Sequence, residues 1–107
     1  MKYLARPYTD TPYAREKYRH ESSVLHELTG DLILCTIPLT EYYEIFFNKA
    51  FEQKIFDVAE QLIKECDLLI YLGDSKGVRK EIAIAKKYGV PVVEYYDYIK
   101  ELNNERI

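Results

Sequence analysis

Glu81 is the residue whose chemistry conflicts with its position. Residues 78–88 read as a helix in which Val78, Ile82 and Ala85 define an apolar stripe, with Ile84 and Tyr88 on its flank. Arg79, Lys80, Lys86 and Lys87 occupy the opposite side. Glu81 falls inside the apolar arc, three residues after Val78 and four before Ala85. A carboxylate turned toward a core is costly unless something pairs with it. In the first turn of that predicted helix, the dipole favours a negative charge. Such a group is expected to stay ionised while shielded from water, which is the condition of a nucleophile. The competing reading is a structural partner such as a lysine. A capping box from Ser75 is excluded, because it would need a Glu at position 78.

The segment before this helix is Gly73-Asp74-Ser75-Lys76-Gly77. Backbone N–H groups and a hydroxyl just ahead of a helix make a small anion site. The plainer reading is an ordinary turn with Asp74 or Ser75 as the helix N-cap. The chain carries no Walker motif, no GxGxxG and no nucleophile-elbow serine.

These residues need elements to position them. Residues 2–5 read as a first strand, and 6–12 as a loop. A helix is predicted over 12–28, capped by Thr11, with Pro12 in its first turn and Gly30 as its stop. The apolar run 32–37 predicts a second strand ended by Pro38, and 40–47 has no clear assignment. A helix is predicted over 48–65, with Phe51, Ile55, Val58, Leu62 and Cys66 on one face. A third strand spans 68–72 and a fourth 91–95, followed by a short helix over 97–104. Alternating β and α units with apolar strands predict a single α/β domain over 1–107. Its architecture is a doubly wound, Rossmann-like or flavodoxin-like parallel sheet of order 2-1-3-4. In such a sheet ligands bind beyond the carboxyl ends of the strands where the winding reverses. That point brings the 6–12 loop beside the 73–77 loop.

With 107 residues the chain forms one domain. Hydrophobic residues at 48% and charged residues at 31% fit a soluble globule. No apolar run is long enough to span a bilayer, and no signal-peptide core is evident, so the expected location is the cytoplasm, without a membrane partner. A net charge of −3 and the lack of a Lys/Arg block argue against a duplex nucleic-acid partner. Cys35 and Cys66 lack CxxC spacing and read as buried thiols. His20 and His26 lie on different sides of a helix and read as surface residues, so neither a metal nor a cofactor is expected.

Two segments carry a family resemblance. Tyr3-Leu4-Ala5-Arg6-Pro7-Tyr8 resembles the opening strand and loop of the nucleoside 2-deoxyribosyltransferase superfamily. Cys66-Asp67-Leu68-Leu69-Ile70-Tyr71-Leu72, the Ser-x-Gly-x-x-x-Glu from Ser75 to Glu81, and Gly89-Val90-Pro91-Val92 resemble its second half. The likeness is to its small uncharacterised bacterial and phage members, and it is loose over 36–54. The resemblance implies that Glu81 attacks the anomeric carbon of a nucleoside or nucleoside 5′-monophosphate. A sugar ester would form, to be resolved by a second base or by water. It implies that Tyr3 orients Glu81 and that Tyr8 lines the base pocket. Arg6, Pro7, Asp74 and Gly77 would complete the substrate site. Ser75 stands where the related monophosphate N-hydrolases have a serine that meets the phosphate. One position departs from the pattern: Ala59 replaces the Asp that usually holds the sugar hydroxyls.

The resemblance therefore implies an N-glycosidic transferase or hydrolase with a small-molecule substrate. The alternative is a non-catalytic module that binds or sequesters a nucleotide, favoured by Ala59. Arg6, Arg15 or Arg19 could supply positive charge, although helix arginines are usually solvated. A homodimer or higher oligomer is expected, with Tyr42, Tyr43, Tyr95, Tyr96 and Tyr98 as candidate interface residues.

Overall fold

The computed structural model describes residues 1–8, 11–42 and 49–105. Strand β1 (Lys2–Ala5) is followed by helix α1 (Pro12–Thr29), strand β2 (Ile33–Leu34) and helix α2 (Ile37–Tyr42). A single 3-10 turn (Lys49–Phe51) leads into α3 (Glu52–Lys64). Then come β3 (Leu68–Tyr71), α4 (Lys76–Lys87), β4 (Val92–Glu94) and α5 (Tyr95–Glu105). All strand pairs are parallel and their order is β2-β1-β3-β4, as predicted.

The strand period of two divides the core. Tyr3, Ala5 and Leu69 face α3 and α4, where they meet Ala59, Ile63 and Ala85. Leu4 and Ile70 face α1 and α5, where they meet Leu25 and Tyr95. At the amino ends of the strands, Lys2 Nζ lies 2.7 Å from Asp31 and 3.2 Å from Asp67. The Lys2 contact is the main reason that the Asp31 carboxyl titrates at about 2.

Helix α1 obeys its sequence signals. Thr11 Oγ1 accepts from Ala14 N at 3.2 Å, and Gly30 closes the helix at φ +71°, the left-handed region that glycine enters freely. Elsewhere the boundaries move. The predicted second strand is two residues long, because Ile37 already begins α2. Thr36 O accepts the Thr40 N–H at 3.0 Å, and Pro38 lies in the first turn, where its missing N–H costs no helix bond. Pro38 therefore ends no strand. Tyr95 opens α5 rather than closing β4, since Glu94 Oε1 accepts from Asp97 N at 2.9 Å and caps that helix.

The core face of α3 is also rotated from the predicted stripe. Ala59 and Ile63 are fully buried, Ile55 and Leu62 are half-buried, and Val58 is exposed. Among the candidate interface tyrosines, Tyr42 and Tyr96 are exposed. Tyr98 is half-buried, and Tyr95 is in the core. Tyr43 lies outside the described residues, as does Asn48, the predicted start of the third helix. No helix among the described residues is long and apolar enough to cross a membrane.

Candidate active site

A cleft of about 430 Å³ opens beyond the carboxyl ends of β1 and β3. That volume falls within the range of small-molecule sites, roughly 300–1,000 Å³. Its floor is Tyr3 and Leu4, and one wall is the following loop, Arg6 to Tyr8. Cys35, Thr36, Ile37 and Thr40 close one side. Glu52, Ile55 and Phe56 from α3, with Ser75 and Lys76, Gly77, Lys80 and Glu81 from α4, complete the lining.

Glu81 belongs to the buried stripe Val78, Glu81 and Ala85 of α4 and is 8% exposed. The Tyr3 hydroxyl, fully buried on β1, donates to Glu81 Oε2. That hydroxyl has a single proton. Thr36, whose Oγ1 lies 3.4 Å away, therefore acts as the donor to Tyr3. Burial pushes the Glu81 carboxyl up to about 7, against the opposing pull of the Tyr3 hydrogen bond. Burial, with the charge of Glu81 added, raises the Tyr3 phenol well above its ordinary value, so Tyr3 keeps the proton. Glu81 is thus close to half ionised at neutral pH. The expectation of an ionised group is met only in part, because burial disfavours the charged form. Helix α4 starts at Lys76, so Glu81 sits in the second turn rather than the first.

Ser75 is the N-cap of α4, its Oγ accepting from Val78 N at 3.1 Å, and it also lines the cleft. The plainer reading of this loop, a cap, is therefore present in the same residue as the anion-site reading. Helix geometry gives the N–H groups of Lys76 and Gly77 no intrahelical acceptor. Gly77 leaves room at the wall, where a Cβ would lie 3.8 Å from Phe56 Cζ. Asp74 is not brought into the cleft: it is exposed and pairs with Arg79 at 3.1 Å. Gly73 has φ +75°, and a Cβ there would lie 3.2 Å from Pro7 Cδ and Cγ. This close approach seats the two loops of the switch point against each other.

In the first loop, Tyr8 is half-buried; burial raises its phenol above the ordinary value, with Arg15 lowering it and Glu41 raising it. Arg19 is exposed, with its guanidinium 6.0 Å from the Tyr18 ring. Arg6 lines the cleft and pairs with Glu21, a buried acid on α1 that the sequence reading passed over. The signal was available: Ala14, Tyr18, Glu21 and Leu25 follow the same helical spacing that singled out Glu81.

Cys35 is half-buried and lines the cleft rather than the core; burial pushes its thiol up to about 11, so it stays protonated. Cys66 is buried, and both thiols are free. His20 and His26 are exposed. The Lys80 ammonium sits 4.5 Å from the centre of the Phe56 ring, a cation–π contact on the cleft wall. Ala59 lies in the core beneath that wall and contributes nothing to the cleft. Among the described residues no group of three or more His, Cys, Asp or Glu side chains can hold a metal ion. No family model and no curated protein matches this chain.

Proposed function

We propose that this chain cleaves or transfers the N-glycosidic bond of a (deoxy)nucleoside or nucleoside 5′-monophosphate, with Glu81 as nucleophile. The reading follows the nucleoside 2-deoxyribosyltransferase superfamily that its motifs resemble. The observation that carries it is Glu81, a buried carboxyl at the base of an open cleft that accepts a hydrogen bond from Tyr3. In its ionised form one oxygen attacks the anomeric carbon, and the bond from that carbon to the base nitrogen breaks. The electron pair leaves with the base, which takes a proton from solvent. Water or a second base then displaces the ester and restores the carboxylate. Tyr8 supplies an aromatic face for the base, and Ser75 with the first N–H groups of α4 receives a phosphate.

The test is release of free base, followed by chromatography, from deoxynucleosides and their 5′-monophosphates. Glu81→Ala, folded by circular dichroism, is expected to release none. Equal release by parent and variant would remove Glu81 from the reaction.

The second reading is a binding module without turnover; under either reading the chain is a cytoplasmic homodimer or larger assembly. Ala59 favours binding alone, because it leaves α3 without the acid expected to hold the sugar. Native mass spectrometry of the purified chain distinguishes the two: a retained, intact nucleotide supports binding alone. The exposed Tyr13, Tyr42 and Tyr96 support the assembly. A monomer by light scattering would count against it.

A further inference from the structure

Arg6 stands one residue past β1 and continues the alternation of that strand, so it points to the face covered by α1. There its Nε lies 2.6 Å from Oε1 of Glu21, and the two side chains are 9% and 7% exposed. The N–H is not aligned on that oxygen, and neither atom has another hydrogen-bond partner among the described residues, so the contact is an ion pair. A second edge of the guanidinium is held by Pro7, whose carbonyl accepts from Nη1 at 3.0 Å. Arg6 lines the cleft, and Glu21 does not.

Stability gives little reason for this pair. Two buried charges lose their hydration, and a well-packed apolar pair in the same space is often as stable or more so. What the pair supplies is direction. A guanidinium has five donors in one plane. With Nε drawn to Glu21 at 2.6 Å and Nη1 donating to Pro7, the guanidinium is held at two points, which restricts the orientation of the rest of the fork beside the cleft. Lys76 and Lys80 also line the cleft, but both are exposed, and the Lys80 ammonium rests on the Phe56 ring.

We infer that Glu21 is a positioning residue that holds Arg6 as an anion clamp, and that the clamp selects ligands carrying a 5′-phosphate over unphosphorylated nucleosides. The inference rests on the proposed nucleoside or nucleotide ligand.

Deoxynucleosides and their 5′-monophosphates are titrated by calorimetry into the full chain carrying Glu81→Gln, which prevents turnover. The monophosphates should bind roughly tenfold to a hundredfold tighter, the worth of one charge-assisted hydrogen bond. Adding Arg6→Met or Glu21→Met should reduce that preference to the part supplied by Ser75 and the first N–H groups of α4, lowering monophosphate affinity several-fold more than nucleoside affinity, which a general structural lesion would not do. Arg6→Met with Glu21→Met should be no worse than Arg6→Met alone, and this pair leaves no charge buried without its partner. Glu21→Gln, which keeps the shape but not the charge, should fall between the parent and Arg6→Met; it carries the comparison if Glu21→Met fails to fold. A parent without preference for the phosphate, a Glu21→Gln chain equal to the parent, or losses that add in the double variant would each overturn the inference. A chain that keeps the preference yet never releases base would overturn the glycosidic reading and leave the clamp standing.

Discussion

Tyr3 and Glu81 stand 78 positions apart in the chain and meet through a buried hydrogen bond, the phenol donating to the carboxylate. The contact joins the central strand β1 to the second turn of α4. Burial of the carboxyl carries a cost, which this hydrogen bond opposes.

The cost can be measured through pH. Burial raises the Glu81 carboxyl from its ordinary 4.5 to about 7. Between those values the folded chain holds a proton that the unfolded chain has lost. Stability therefore declines as pH rises through that window and stays at the lower level above it. The full difference is on the order of 3 kcal/mol. Glu81→Gln has no charge to bury, so its Tm should exceed that of the parent near pH 8 and converge with it near pH 4. A parent at least as stable as the variant near pH 8 contradicts this.

In the proposed reaction the same group would govern rate. Only its ionised form would attack, so base release should rise through about pH 7 and level off above it. Tyr3→Phe removes the donor that favours the charged form, so the midpoint should move to higher pH and the plateau should drop. A pH profile with an unmoved midpoint would deny Tyr3 its orienting role.

Ser75 has two tasks that substitution can separate. Ser75→Ala removes the cap of α4 and should cost about 1 kcal/mol in urea denaturation, whereas Ser75→Gly should cost a few tenths. Both remove the hydroxyl from the cleft. If the hydroxyl meets the ligand, Ser75→Gly weakens nucleotide binding while barely changing stability. Unchanged binding would leave Ser75 as a cap alone.

Gly73 and Gly89 allow a matched comparison. Both have φ near +70° (75° and 70°), but a Cβ on Gly89 meets nothing within 4 Å, whereas one on Gly73 meets Pro7. Gly89→Ala should cost about 1–2 kcal/mol from the backbone alone. Gly73→Ala should cost more and also weaken ligand binding, because it pushes the two cleft loops apart. Equal costs in calorimetry, with binding intact, would remove the Pro7 approach as a determinant of the site.

Sequence alone determined whatever depends on local spacing. Parallel strands in the order β2-β1-β3-β4 follow from alternating βα units and right-handed crossovers. The inward turn of Glu81 follows from its place between Val78 and Ala85. The limits of α1 follow from Thr11 and Gly30. Spacing is uninformative over an apolar run such as 32–37, which has no period that distinguishes a strand from the start of a helix.

Tertiary structure alone decided what each inward group meets. Glu21 satisfied the same helical test as Glu81, but its partner depended on which face of β1 carries Arg6 and which helix covers that face. The titration of Glu81 depended on how much water the packed walls exclude and on the hydrogen bond that Tyr3 brings from β1. Spacing along a helix is dictated by covalent geometry and can be read from residue order. Desolvation and pairing are set by atoms brought from distant parts of the chain, and they come into being when the chain has folded.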